Sequence, residues 1–205
     1  MSYIPLLTLP DAIFSSPALS ILLPIAAGTT VGFLCRPSET QKTYYALKQP
    51  PCRPPPSVFG PVWTTLYGLM GYAANRAWTV GMASAIPSVV ENTRIGATLY
   101  TVQLGLNLVW MPLFFVKGWP LPATADIFAL TGTVSYLTYV WGKIDDTASY
   151  CLMPYLGWLS FATYLCVGAG YLNGWNFQDK LKKKETEAEE TKFVDEEPES
   201  GSMGR

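Results

Sequence analysis

The segment from Pro54 to Asn75 constrains the fold of this chain more than any other feature. It reads PPPSVFGPVWTTLYGLMGYAAN, carries no charged residue, and is rich in Trp, Tyr, Gly and Pro. A helix rises about 1.5 Å per residue, so roughly 20 apolar residues cross a hydrocarbon core of about 30 Å. This segment is long enough to cross a bilayer as a helix, and the sequence therefore predicts a membrane protein.

Four further runs of the same kind accompany this segment, and Asp126 is the one charged residue inside them. The predicted fold class is an all-α integral membrane protein, a bundle of five transmembrane helices within residues 1–178. A cleaved signal peptide is the alternative for the first run, but no Lys or Arg precedes it and it exceeds the usual signal core. The predicted spans are about 15–35, 57–78, 95–116, 121–142 and 148–172.

Charged residues are concentrated at the C-terminus. Residues 1–178 hold eight Lys or Arg and six Asp or Glu, whereas residues 179–205 hold six and nine. A segment with so few apolar side chains gains too little from burial to offset the entropy of ordering. We therefore predict that residues 179–205 form a disordered, charged tail.

The distribution of basic residues predicts the orientation, because Lys and Arg near span ends stay on the cytoplasmic face. With five spans, nine basic residues lie on one side and three on the other. This distribution places the first loop and the C-terminus in the cytosol. The basic residues of the first loop are Arg36, Lys42, Lys48 and Arg53.

The residue types exclude several classes of protein. The chain has no histidine, which removes Ser-His-Asp and Cys-His hydrolases, most zinc sites and a histidine ligand for haem iron. Its four cysteines show no CxxC spacing, and no phosphate-binding glycine motif is present. We therefore predict no metal site, no required cofactor and no nucleic acid partner, and a receptor is favoured over an enzyme.

Aromatic and amide side chains recur at helical spacing on three of the predicted spans. Residues three, four or seven positions apart share one face of a helix. Such faces either meet around one pocket or anchor the helices at the membrane interfaces, and we predict a pocket. Its predicted residues are Trp63, Tyr67, Gln103, Asn107, Trp110, Phe114, Tyr155, Trp158 and Ala162.

Three polar side chains lie inside the predicted spans. Gln103 and Asn107 stand one helical turn apart, and each must contact another helix, a water or a ligand because an unpaired amide is costly in lipid. Asp126 lies near the start of the fourth span. An intramembrane carboxylate indicates function, but a helix N-terminus also stabilises a negative charge. Both interpretations stay open for all three residues.

Three ordered motifs resemble those of a known family. They are YYALKQPPCRPPPSVFGPVWTTLYGLMGYAANRAW, QLGLNLVWMPLFF and MPYLGWLSFATYL. The chain is similar over these motifs to the TspO/MBR family, the tryptophan-rich sensory proteins. Its eukaryotic members are the translocator proteins, once called peripheral-type benzodiazepine receptors. The resemblance runs from about Tyr44 to Leu172.

The resemblance implies a pocket for tetrapyrroles such as protoporphyrin or haem, with the first loop folded over it. In animal members it also implies sterol and benzodiazepine-type ligands. By position, Trp63 and Trp158 correspond to the tryptophans implicated in porphyrin binding and breakdown in bacterial relatives. Asn107 and Trp110 match pocket residues of the third helix, and Asp126 matches the usual acidic residue of the fourth.

Two departures from the family pattern are visible. Cys52 and Ser57 stand where the loop motif KPxWxPPxW has its tryptophans, which weakens the expectation that the loop stacks on a porphyrin. The animal sterol motif near the start of helix five is also altered, because Gly142 and Tyr150 stand where a Tyr and an Arg are expected. A sterol-type pattern does occur at Leu137, Tyr139 and Lys143, but such patterns are weak evidence for sterol contact.

A stripe of small residues on the third span predicts close helix contact. Ala97, Thr101 and Gly105 repeat at four-residue spacing, which lets two helices approach closely in lipid. The resemblance favours a homodimer through this stripe. Packing within one bundle is the alternative.

Together the residues and the resemblance predict a membrane receptor for tetrapyrroles, sterols or other lipophilic ligands that acts in tetrapyrrole homeostasis and stress response. A porphyrin or lipid transporter is one alternative. A light- or oxygen-dependent porphyrin-degrading enzyme is another, and in it Trp63 and Trp158 would be catalytic. The expected location is the mitochondrial outer membrane, with the endoplasmic reticulum as the alternative.

Overall fold

The computed structural model describes residues 4–5, 7–35 and 44–177, and within these ranges all regular secondary structure is helical. The predicted all-α class is confirmed. The predicted tail 179–205 and the loop residues Arg36 and Lys42 lie outside the described residues. The elements are α1 (Asp11–Ser15), α2 (Pro17–Leu34), α3 (Pro56–Met82), α4 (Pro87–Met111), a π-helical turn (Pro112–Val116), α5 (Pro120–Gly142) and α6 (Asp146–Leu172).

Three helical segments are long and apolar enough to cross a membrane, as judged by length and composition. They are Pro17–Leu34, Pro87–Val116 and Asp146–Leu172. The helices α3 and α5 are also long, with 27 and 23 residues, and each coincides with a predicted span. Both helices contain many Gly, Thr and Tyr residues, so neither has an 18-residue stretch as apolar as those of the other three segments.

The helix α4 begins well before the apolar run that predicts it. The predicted third span starts at residue 95, whereas the helix starts at Pro87. Its first turns carry Glu91, Asn92 and Arg94, which interrupt the apolar run but do not interrupt a helix. An apolar run therefore indicates only the part of a helix that lies in the hydrocarbon core, and α4 extends beyond that part.

The four helices α3, α4, α5 and α6 enclose a common interior. α3 packs against α4 and α6, and α5 packs against the same two helices from the other side. α2 lies outside this group, against α3. The two helices approach each other closely at Gly71, since a Cβ atom added there would lie only 2.7 Å from the Cα atom of Ile21. The absence of a side chain at Gly71 thus sets the distance between α2 and α3.

A charged pair lies at the end of the bundle where α5 turns into α6. The carboxylate of Asp145 accepts hydrogen bonds from the backbone N–H of Ala148 and from Nε of Arg76, each at 2.8 Å. It therefore caps α6 and ties α6 to α3. The Arg76 guanidinium and the cap hold the pKa of the Asp145 carboxyl below its usual range.

We expect Gly71→Ala to lower the free energy of unfolding by about 1–3 kcal/mol, because the new methyl group forces α2 away from α3. Gly68→Ala on the same helix is the matched control, since a Cβ atom at Gly68 meets open space. The control should keep or slightly raise stability because alanine is the better helix former. Thermal unfolding in detergent, followed by circular dichroism, measures both variants, and equal midpoints would contradict this packing.

The Asp145 pair predicts a loss of stability in acid. Because the folded-state pKa is depressed, the contribution is fully present above the unfolded pKa of about 3.9 and is lost as the pH falls through the folded value. Asp145→Asn removes this contribution and should flatten the acid limb of the stability profile. Thermal midpoints measured across the acid range compare the two proteins. A variant with an unchanged acid limb would show that other carboxylates cause it.

Candidate functional site

A chain of buried hydrogen-bonded side chains joins three helices in the interior. The hydroxyl of Tyr67 on α3 donates to Oδ1 of Asn107 on α4 at 2.6 Å, and Nδ2 of Asn107 donates to the hydroxyl of Tyr155 on α6 at 2.9 Å. The Tyr155 hydroxyl donates in turn to Oε1 of Gln103 at 3.2 Å. Each of these groups would be costly to leave unpaired in an apolar interior. The network therefore fixes α3, α4 and α6 relative to one another.

Two predicted pocket tryptophans lie beside this network. The Trp63 ring centroid is 5.6 Å from that of Tyr67 and 6.1 Å from that of Tyr155. Trp158 lies one turn beyond Tyr155 on α6, and its indole Nε1 is buried without a hydrogen-bond partner among the described residues. Both indoles are half-buried and pack against the main core.

The remaining predicted aromatic residues belong to a second cluster nearer the loop that precedes α3. Trp110 packs against this cluster and stacks on Phe114, with ring centroids 5.1 Å apart. Its buried indole Nε1 has no hydrogen-bond partner among the described residues, although the Cys166 thiol, a weak acceptor, is close enough to interact with it. The buried members of the cluster are Leu47, Phe114, Ala123, Ile127, Ala162, Cys166, Ala169 and Phe177.

Asp126 lies on α5 between two members of the second cluster, Ala123 and Ile127. Its Oδ2 atom is buried, and no donor in the described part of the chain bonds to it. The side chain is close enough to Tyr155 and Cys166 on α6 for its charge to act on both groups. The interior thus holds an available acceptor at Asp126.

The loop before α3 covers one end of the bundle. The Lys48 N–H donates to Oδ1 of Asn173 at 3.1 Å, and Nδ2 of Asn173 donates to the Lys48 carbonyl at 2.8 Å. The hydroxyl of Tyr164 donates to a further loop carbonyl at 3.2 Å. Leu47 inserts into the second cluster and is 3% exposed. Residues 44–55 are therefore held against the end of α6.

Two positions depart from the family pattern, Cys52 in the loop and Ser57 in the first turn of α3, and both point away from the interior. Cys52 and Ser57 are both exposed, and Cys52 has a left-handed backbone with φ 64°. Phe59 instead contacts Trp158, with ring centroids 5.8 Å apart, and Tyr44 at 6.0 Å. The sequence analysis missed Phe59, although it lies four residues before the predicted pocket tryptophan on the same helix.

The stripe predicted to form a dimer is partly covered by the chain itself. Ala97 is 2% exposed, and the hydroxyl of Thr101 accepts a hydrogen bond from the Leu9 N–H at 3.0 Å. Gly105 is exposed and has open space beside it. The N-terminal segment thus covers part of the stripe, and a homodimer through it stays a prediction.

The described residues include no group of three or more His, Cys, Asp or Glu placed to hold a metal ion. Within the same residues, the interior instead offers flat aromatic faces, unpaired indole N–H donors at Trp110 and Trp158, and a carboxylate acceptor at Asp126. Two further buried groups without a partner in the described part of the chain, the Trp141 indole and the Tyr100 hydroxyl, lie together elsewhere in the core. The set at Trp110, Trp158 and Asp126 suits a flat, largely apolar molecule that carries a few polar groups.

This fold and site define a helical membrane protein with an interior lined by aromatic and amide groups. The chain belongs to the TspO/MBR family, whose family model matches residues 20–172.

Proteins of this family from three different kinds of organism are similar to the chain over most of their length. It is 43% identical to the translocator protein homolog of Schizosaccharomyces pombe over 153 residues, 74% of this chain and 88% of that protein. It is 39% identical to the tryptophan-rich protein TspO of Archaeoglobus fulgidus over 155 residues, 75% and 94% of the two chains. It is 35% identical to the translocator protein of Homo sapiens over 152 residues, 73% and 85% of the two chains.

We expect Asn107→Ala to destabilise the protein by about 2–5 kcal/mol, because it leaves the Tyr67 hydroxyl buried without an acceptor and removes one of the two partners of the Tyr155 hydroxyl. The same substitution in a Tyr67→Phe/Tyr155→Phe background should cost much less, since neither hydroxyl is then present to lose a partner. Thermal unfolding in detergent of the wild type, Asn107→Ala, the double Phe variant and the triple variant gives the four values of this thermodynamic cycle. Equal losses in the two backgrounds would show that the network does not connect the helices energetically.

Proposed function

We propose that the chain is a five-helix membrane receptor that binds a tetrapyrrole, such as protoporphyrin or haem, among α3, α4, α5 and α6. The observation that supports this is the set of buried polar groups without strong partners, Trp110 Nε1, Trp158 Nε1 and Asp126 Oδ2, set among aromatic rings. Buried unpaired groups are rare in proteins, and a bound molecule is one explanation for them.

The chemistry of a tetrapyrrole matches this set. Its ring offers a large apolar face to Trp63 and Trp158, and burial at about 25 cal/mol per Å² offsets the entropic loss of capture. The central N–H groups of metal-free protoporphyrin suit a carboxylate acceptor, and the peripheral carboxylates of protoporphyrin and haem suit indole donors. The same apolar faces also accommodate a sterol or another lipophilic ligand.

Basic residues at the covered end favour an anionic ligand. Lys48 and Arg53 are exposed on the loop, and the Arg53 guanidinium lies 5.6 Å from the Tyr44 ring centroid. Positive charge at the mouth of a site raises the local concentration of anions such as porphyrin carboxylates. This arrangement supports entry from the side on which the basic residues lie, which we assign to the cytosol.

The receptor would act in tetrapyrrole homeostasis and the stress response, without a required cofactor. We assign it to the mitochondrial outer membrane, with the endoplasmic reticulum as the alternative, and place the C-terminus in the cytosol. The exposed Gly105 offers a site where a second copy could approach α4. These assignments rest on the family and on the positions of the basic residues.

We expect Trp63→Phe and Trp158→Phe each to weaken protoporphyrin binding about tenfold, because each removes indole area from the ligand. Trp119→Phe is the matched control: this indole is 46% exposed and the variant has the same number of tryptophans. Titration of purified protein, followed by the porphyrin absorbance, gives the three affinities. If all three variants bind like the wild type, the tetrapyrrole does not occupy this interior.

Two further measurements separate the receptor from its alternatives. Uptake of protoporphyrin into sealed vesicles that contain the protein would favour a transporter. Spectral conversion of bound porphyrin under illumination, lost in Trp63→Phe or Trp158→Phe while binding persists, would favour a degrading enzyme. A receptor binds the ligand and shows neither effect.

A further inference from the structure

A groove of about 480 Å³ lies on the outer surface of the bundle, between α5 and α6 near the turn that joins them. It lies at the C-terminal end of α5, whereas the second cluster and the loop before α3 lie near the start of that helix. Sites that bind small molecules usually have volumes of about 300–1,000 Å³. The residues that line it are Ser135, Thr138, Tyr139, Gly142, Lys143, Ser149, Met153 and Leu156.

The wall of the groove presents mainly carbon, although several of its residues carry hydroxyl groups. The hydroxyl protons of Ser135 and Thr138 are donated to the carbonyls of Thr131 and Val134, each at 2.8 Å. The hydroxyl of Ser149 donates to the Thr138 carbonyl at 3.2 Å. These donors are therefore used within the protein. The wall suits a flexible hydrocarbon chain better than a polar molecule.

Gly142 gives the groove its width. A Cβ atom at this position would already touch Oγ of Ser149 at 3.4 Å, so any longer side chain would extend into the space between the helices. Met153, which is 49% exposed, forms part of the opposite wall on α6. The groove is therefore open to the surroundings of the bundle along its length.

A single positive charge lies at the mouth of the groove. The Nζ atom of Lys143 is 4.3 Å from the centroid of the Tyr139 ring, and no carboxylate of the described residues lies within 4 Å of it. The nearest acidic residue in sequence, Asp145, is already paired with Arg76. Asp146 is exposed at the start of α6. The ammonium of Lys143 is thus held by an aromatic face and is available to an anion.

We propose that this groove binds an anionic phospholipid, with one acyl chain between α5 and α6 and the phosphate on Lys143. Tyrosine and lysine at a helix end are residues that meet lipid headgroups, which places Lys143 at the level of the phosphates. The Tyr139 ring face is occupied by the lysine, so a quaternary ammonium headgroup finds no aromatic partner there. The proposal rests on α5 and α6 lying in the bilayer and is independent of tetrapyrrole binding.

The test uses the full chain in phosphatidylcholine nanodiscs that contain a small fraction of a probe lipid with a diazirine on its acyl chain. The probe is either phosphatidylserine or phosphatidylcholine, and mass spectrometry measures crosslinking to the peptide that carries Met153 and Leu156. We expect the phosphatidylserine probe to label this peptide about fivefold more, because its headgroup carries a net negative charge near Lys143, whereas the choline ammonium of the other probe offsets its phosphate. Equal labelling by the two probes would overturn the proposal.

Substitutions at Lys143 locate the effect. Lys143→Gln should bring the two probes to equal labelling, and Lys143→Arg should keep the preference. Lys117→Gln is the matched control, because Lys117 also lies over an aromatic ring, 5.9 Å from the Trp119 centroid, but does not line the groove. If Lys143→Gln keeps the preference, or if Lys117→Gln removes it, the site is not the one proposed. Unchanged thermal unfolding of Lys143→Gln confirms that the variant is folded.

Two competitors identify the occupant. Excess inorganic phosphate in the aqueous phase should leave the labelling in place, because the acyl chain supplies most of the contact. Loss of labelling under phosphate would show that a free anion occupies the site. A sterol that carries a diazirine and labels the peptide more than phosphatidylserine would show that the groove selects a rigid ring system. Either result overturns the phospholipid assignment, and protoporphyrin affinity, measured separately, is unaffected by it.

Discussion

The pairing of polar side chains inside a membrane bundle is the constraint on which this structure depends. An amide or hydroxyl surrounded by hydrocarbon has no water to bond, so it must find a partner on another helix. Asn107 meets this requirement twice, with Tyr67 on α3 and Tyr155 on α6. The apolar contacts between helices in lipid are not selective, whereas these bonds have defined lengths and directions. They therefore determine which faces of the three helices meet.

Much of the fold was predictable because a sequence shows both helical periodicity and the length of each apolar run, which can be compared with the thickness of a bilayer. The spacing of the aromatic and amide residues predicts that they share inward faces, and the structure brings together Trp63, Tyr67, Gln103, Asn107 and Tyr155. The sequence analysis left open whether the amides contact helices or a ligand, and the structure shows contacts between helices. Which partner each amide takes depends on distances between segments far apart in the chain, which no local pattern encodes.

The features that were missed share a physical reason. The contact of Lys48 with Asn173 spans 125 residues. An asparagine just after a helix is also typical of a helix cap, so its position does not indicate a contact with a distant loop. Trp141 is 1% exposed and stacks on Tyr100, with ring centroids 5.9 Å apart, but polar and apolar residues are spread almost evenly around α5, so no face of this helix is marked in the sequence. Sequence periodicity identifies a face most clearly when polar and apolar residues alternate around the helix.

The attachment of the loop at Asn173 bears on kinetics as well as on structure. A molecule that reaches the interior from this end has to displace residues 44–55 first, and the two hydrogen bonds to Lys48 must break for it to arrive and again for it to leave. A weaker attachment therefore accelerates association and dissociation together. Under the proposed function, the loop would therefore govern the residence time of a bound molecule, while the aromatic walls would govern the equilibrium constant.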